Sequence, residues 1–138
     1  MATHRTCKLF VNLPVRDLKR SIEFFTRLGF GFNSQMTDEN ATCMILGEDT
    51  YVMLLTESRL KDFIKKPLHD PRASTAATYA ITAANRADVD HVVKTAIAAG
   101  GTHAADPMDH GFMYGWSFYD LDGHHWEVFY MDPAALQK

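Results

Sequence analysis

The sequence predicts an α+β fold built from two βαβββ repeats, a curved mixed sheet around a cavity. Three observations carry that prediction. A strand-like run, an aspartate, an amphipathic helical pattern and a glycine occur in that order twice. Asp17 and Asp88 lie 71 positions apart, and so do Gly29 and Gly100. Each unit then continues into short apolar runs separated by turn residues, which is strand patterning. Amphipathic helices cover one face of a sheet and leave the other open.

Residues 7–15 read as the first strand, apolar and closed by turn chemistry from Pro14 to Asp17. Asp17 is suited to cap the helix that follows. Leu18, Ile22, Phe25 and Leu28 recur at helical spacing, and Gly29 fits the left-handed position that ends many helices. Strands are expected near 30–36, 41–47 and 50–56, with turns at Asp38-Glu39-Asn40 and Gly47-Glu48-Asp49. A short helix over 58–66 stops at Pro67. The second repeat opens with a strand over 76–83, then a helix capped by Asp88 and turning Val89, Val92, Val93, Ala96 and Ile97 inward. Strands near 102–104, 113–119 and 124–131 follow, with Gly123 supplying the positive φ of a tight turn. The tail from Pro133 adds at most a helical turn. One domain therefore spans residues 1–138: a first repeat over 7–58, a short helix and linker over 59–75, and a second repeat over 76–132.

A chain of 138 residues, 46% hydrophobic and 22% charged, is an ordinary soluble domain. Its net charge of −3 and lack of a basic stripe exclude nucleic acid as the expected partner. No apolar run approaches the roughly 20 residues that span a bilayer, so no membrane partner is expected. Neither a signal peptide pattern nor a disulfide scaffold is visible, Cys7 and Cys43 being the two cysteines. The expectation is a cytoplasmic protein with reduced thiols.

The opening Leu13-Pro14-Val15-Arg16-Asp17-Leu18, the helix end Leu28-Gly29-Phe30 and the closing Asp120-Leu121-Asp122-Gly123-His124-His125-Trp126-Glu127-Val128 resemble the glyoxalase/bleomycin-resistance/dioxygenase superfamily, the vicinal oxygen chelate fold. The resemblance covers roughly residues 7–132. The stretch Asp109-His110-Gly111-Phe112-Met113-Tyr114-Gly115-Trp116 is similar to a subgroup labelled lactoylglutathione lyase-like. The resemblance implies a divalent metal held by four side chains, one per strand, two from each repeat. Carried over, the first place is Phe10, seven residues before Asp17. The second is Leu54 or Met53, the third lies near Thr78, and the fourth is Glu127. One of four is a good ligand, which counts against glyoxalase or extradiol dioxygenase chemistry there. No cofactor is expected; a divalent metal would need a second ligand besides Glu127.

Alternation puts Glu127 and Phe129 on one strand face, with Trp126, Val128 and Tyr130 on the other. A carboxylate on a buried strand needs a partner or a cavity, which makes Glu127 a candidate acid, base or ligand anchor. Asn12 shares a face with Phe10, where its amide is, with Glu127, a candidate polar anchor for a ligand. His110 and Tyr114, beside Gly111 in a rim loop, are candidates for proton transfer. Trp116, Phe118, Met53 and Tyr51 divide between cavity and core. His124 and His125 are consecutive, so they face opposite ways and make no metal pair. Two functions fit: binding of a small amphipathic molecule in a metal-poor cavity, or a lyase or isomerase in which Glu127 works with His110 or Tyr114. Open sheet edges predict a homodimer.

Overall fold

The computed structural model describes residues 4–136. The chain forms two compact units that divide between Leu68 and His69. Each is an α+β unit with one mixed sheet.

In the first unit, strand β1 (Leu9–Val15) runs into helix α1 (Leu18–Arg27). Asp17 caps the helix by accepting from the Arg20 amide at 3.2 Å. Gly29 ends it at φ 106°, a conformation that costs glycine nothing. Strands β2 (Gly31–Asn33), β3 (Ala41–Ile45) and β4 (Thr50–Thr56) follow, then helix α2 (Glu57–Lys61). The sheet order is β1-β4-β3-β2, with β1 and β4 parallel. The expected strand over 30–36 stops at Asn33, because its side chain accepts from the Gln35 amide and starts a 3-10 turn. The helix expected over 58–66 is one turn long and begins a residue earlier, where Thr56 accepts from the Arg59 amide.

Helix α1 buries Leu18, Ser21, Phe24 and Phe25. The expected stripe through Ile22 is therefore rotated, and the small Ser21 sits at the sheet instead. Val15, Val52, Leu54 and Met44 fill the covered side. On the opposite side, Leu60 packs with Ala41 and Leu55, and with the half-buried Met53 and Leu68.

The second unit contains β5 (Thr78–Thr82), helix α3 (Arg86–Ala98), β6 (Thr102–His103), β7 (Met108–Asp109), β8 (Met113–Tyr119) and β9 (His125–Met131). Its sheet order is β5-β9-β8-β6, with β7 also pairing with β8. Strand β7 was not expected. It exists because the edge bulges: Ala104–Pro107 lie opposite only Trp116 and Ser117.

The cap of α3 also differs from expectation. Asn85, not Asp88, is the N-cap and accepts from the Asp88 amide at 2.8 Å. Asp88 sits three residues in and accepts from the Ala84 amide at 3.0 Å, a reciprocal arrangement. The cap-to-cap offset is thus 68, while the terminal glycines keep their 71, because α3 has 13 residues and α1 has 10. Val89, Val93 and Ala96 are the residues α3 buries; Val92 is half-buried and Ile97 is exposed. They pack over Phe118, Trp126 and Val128. No helix among the described residues is long and apolar enough to cross a membrane.

Candidate functional site

In the second unit, register decides which side chains leave the core. Thr78, Ala80 and Thr82 of β5 oppose His125, Glu127 and Phe129 of β9. Those in turn oppose Tyr119, Ser117 and Gly115 of β8, and Met131 opposes Met113. By alternation all of these share the face away from Trp126 and Val128. Ala80 and Gly115 carry little side chain, so the face is hollow at its centre.

The hollow is a cavity of about 310 Å³. Its walls include Met108, Met113, Phe129 and Met131 over the floor of Ala80 and Gly115. A Cβ on Gly115 would lie 3.5 Å from Phe129 Cβ, so any larger side chain there would enter the space. One wall comes from the bulge after β6: the Ala105 amide donates to Ser117 Oγ at 3.1 Å, which ties that segment over the sheet. Two lining residues ionise, Glu127 and Asp106.

Glu127 is half-exposed, not the buried carboxylate expected, because the open face lacks a covering helix in this unit. Its Oε1 lies 3.5 Å from His125 Nε2. That nitrogen is enclosed and, among the described residues, has no hydrogen-bond partner. The ring stands edge-on to Tyr119, with centroids 5.4 Å apart. His124 is also buried but faces the other way, beside Tyr79. Asp106, fully in solvent at the rim, has His103 Nε2 3.7 Å away.

Several expected site residues lie elsewhere. Trp116 borders the cavity, yet register places its side chain with Phe118 on the opposite face, where its indole N–H donates to His103 Nε2 at 3.3 Å. Tyr114 shares that opposite face. Its hydroxyl donates to Asp90 on α3 at 2.6 Å, and that bond with partial burial pushes its pKa up to about 12. It is a strut between sheet and helix, not a proton donor to the cavity. His110 is exposed in the rim loop, with its ring against Phe112, and does not line the cavity. Thr78 is exposed on the open face opposite His125, outside the cavity lining.

In the first unit Leu54 is fully buried on the helix-covered side, so Met53 is the open-face residue of that pair. Phe10 is 42% exposed and stacks on Tyr51 at 4.7 Å. Asn12 is exposed opposite Met53. Register also makes the repeats correspond: Phe10 faces Tyr51 as Thr78 faces His125, and Asn12 faces Met53 as Ala80 faces Glu127.

The four metal positions of the resemblance are therefore Phe10, Met53, Thr78 and Glu127. A benzyl ring, a thioether, a hydroxyl and a carboxylate are not a donor set for a hard or borderline divalent ion. Among the described residues, no three His, Cys, Asp or Glu side chains gather where they could hold one. The residues at those four positions do not fit a metal.

Missed from the sequence were His125, Asp106 and the methionines. The signal for His125 was present: the alternation that pairs Glu127 with Phe129 reaches His125 one step back. Asp106 carried no signal, because only the bulge brings it to the cavity.

The topology and the sequence both point to relatives. A family model for the glyoxalase/bleomycin resistance protein/dioxygenase superfamily matches residues 9–128. No curated protein matches the chain. Among solved structures, a hypothetical protein from S. aureus is 25% identical, with 92% of this chain and 95% of that one covered and a TM-score of 0.78. A glyoxalase-related enzyme from Fulvimarina pelagi is 15% identical, covering 93% and 88%, with a TM-score of 0.77. A family enzyme from Burkholderia phytofirmans is 16% identical, covering 88% and 96%, with a TM-score of 0.72. With the βαβββ topology present in both units and the family match spanning most of its length, this chain belongs to the glyoxalase/bleomycin resistance protein/dioxygenase superfamily.

Proposed function

We propose that this superfamily member binds a small, largely apolar molecule on the open sheet face of its second unit, without a metal at the family's four positions. The observation that carries the reading is the cavity of about 310 Å³, floored by Ala80 and Gly115 and walled by methionines and Phe129. Sites for small molecules are concave, mostly apolar and furnished with few polar groups. Glu127 is the polar anchor within this one. Asn12 and Phe10, on the first unit's strand β1, are exposed residues available to a ligand.

The test fills the floor. Ala80→Leu should abolish thermal stabilisation by any compound that stabilises the parent protein, while leaving the unliganded melting temperature within a few degrees. Equal stabilisation of both proteins by the same compound would overturn the reading.

A second reading, proton transfer in a lyase or isomerase, is favoured by one observation: the carboxylate and imidazole of Glu127 and His125 lie 3.5 Å apart. It would use that pair, with neither His110 nor Tyr114. Turnover of the methylglyoxal–glutathione hemithioacetal tests it, and no rate above background is expected. A homodimer is the proposed assembly, checked by light scattering.

A further inference from the structure

We propose that the occupant of this cavity is a cation: a molecule with an apolar body and an amine or amidine head. The inference rests on the binding reading above and adds the sign of the charge. Two of the lining residues ionise, and both are carboxylates, Glu127 on β9 and Asp106 on the bulge. None of the described lining residues is a lysine or arginine. The cation at the start of α3 is committed to the rim loop. Arg86 donates to both Asp109 oxygens at 2.8 and 3.0 Å and to the Gly111 carbonyl at 2.8 Å. It also lies over the Tyr114 ring.

An anionic ligand would therefore bring its charge beside two carboxylates with no counter-charge in the lining. A glutathione conjugate, with two carboxylates and one ammonium, is the wrong sign for this lining. A cation meets two carboxylates and the Ser117 hydroxyl, each with an oxygen that can accept from it. The walls suit the same class, since thioethers and the Phe129 ring are soft, polarisable partners for an alkylammonium head and its apolar stem. Glu127 supplies most of the effect. It is half-shielded, while Asp106 is 94% exposed and its field is screened by water.

The experiment compares three probes of one shape: 2-naphthylmethylamine, 2-naphthylmethanol and 2-naphthoate, titrated calorimetrically at low ionic strength and neutral pH. The expected order of affinity is amine, alcohol, carboxylate, with the amine about fivefold tighter than the alcohol, as a partly shielded charge pair gives. Glu127→Gln should bring amine and alcohol to within about twofold, chiefly by weakening the amine. Asp106→Asn should move the ratio less. If the alcohol binds as well as the amine, or the carboxylate binds best, the charge assignment is overturned and the binding site stands. If the amine keeps its advantage in Glu127→Gln, the assignment to this carboxylate is overturned. If no probe binds, or all bind equally to Ala80→Leu, the binding reading itself falls.

Discussion

Gly123 shows how one position can answer to two demands. Its φ is 98°, and a Cβ there would lie 3.0 Å from the Pro71 carbonyl oxygen and 3.1 Å from the Arg72 amide nitrogen. Backbone cannot step aside as a flexible side chain can. Gly123→Ala should destabilise by about 2 kcal/mol, read as a lower urea midpoint. Asp120, in the same turn, is buried and accepts from the Asp122 amide at 2.9 Å, the His124 amide at 3.0 Å and the Trp126 indole at 2.9 Å. Burial pushes its carboxyl up despite those donors. Trp126→Phe removes one donor and part of a fully buried ring, and should cost about 3 kcal/mol in the same measurement. The turn with Gly123 was legible from the sequence because positive φ is a local property. The value of Asp120 was not, since its third donor is a side chain that only the strand return brings back. Glu127 was placed on the right face by alternation, yet its exposure depends on what covers that face.

Helices and loops carry the next set of expectations. Since Asn85 caps α3, Asn85→Ala should cost about 1 kcal/mol. Asp88→Ala should cost less, because Asp88 supports the Ala84 amide outside the helix. The reverse ranking in chemical denaturation would restore Asp88 as the cap. Sequence alone favoured Asp88 because aspartate before an apolar run is a start signal. Asn85 gives the same signal three residues earlier, and both are satisfied in a reciprocal pair. The rim loop is held by Arg86. The Arg86 guanidinium, with the Gly111 amide, lowers the Asp109 carboxyl from its ordinary 3.8 to about 2. A depressed carboxyl contributes to folding above its unfolded value and loses that contribution as pH falls through its folded value. The loop tie is therefore complete above about pH 4 and lost through about pH 2. The Gly111 amide, which donates to Asp109 at 2.9 Å, should report this in an NMR titration with a midpoint near about 2. In Arg86→Ala that midpoint should rise toward the ordinary carboxylate value.

Across the whole chain, both units close a parallel pair between distant strands, β1 with β4 and β5 with β9. Non-local pairing must meet its loop entropy before contacts repay it, so refolding should take milliseconds to seconds and not microseconds. Stopped-flow fluorescence of the buried Trp126 checks this; a microsecond phase carrying the full amplitude would contradict it. The α+β class, the two repeats, their helices and the family were all determined by the sequence itself. Hydrophobic period, caps and turn residues are local signals, and the chain spells each one twice. Tertiary structure alone decided which polar groups share the cavity. A two-residue slip in the edge strand carries Asp106 to it, register sends Trp116 and Tyr114 to the covered side, and the pairing of β9 with β8 and β5 sets small residues beside Glu127. The β5–β9 pairing joins strands far apart in sequence, while the bulge and the β8–β9 register are set by which partner residue each strand meets, which residue type alone does not specify.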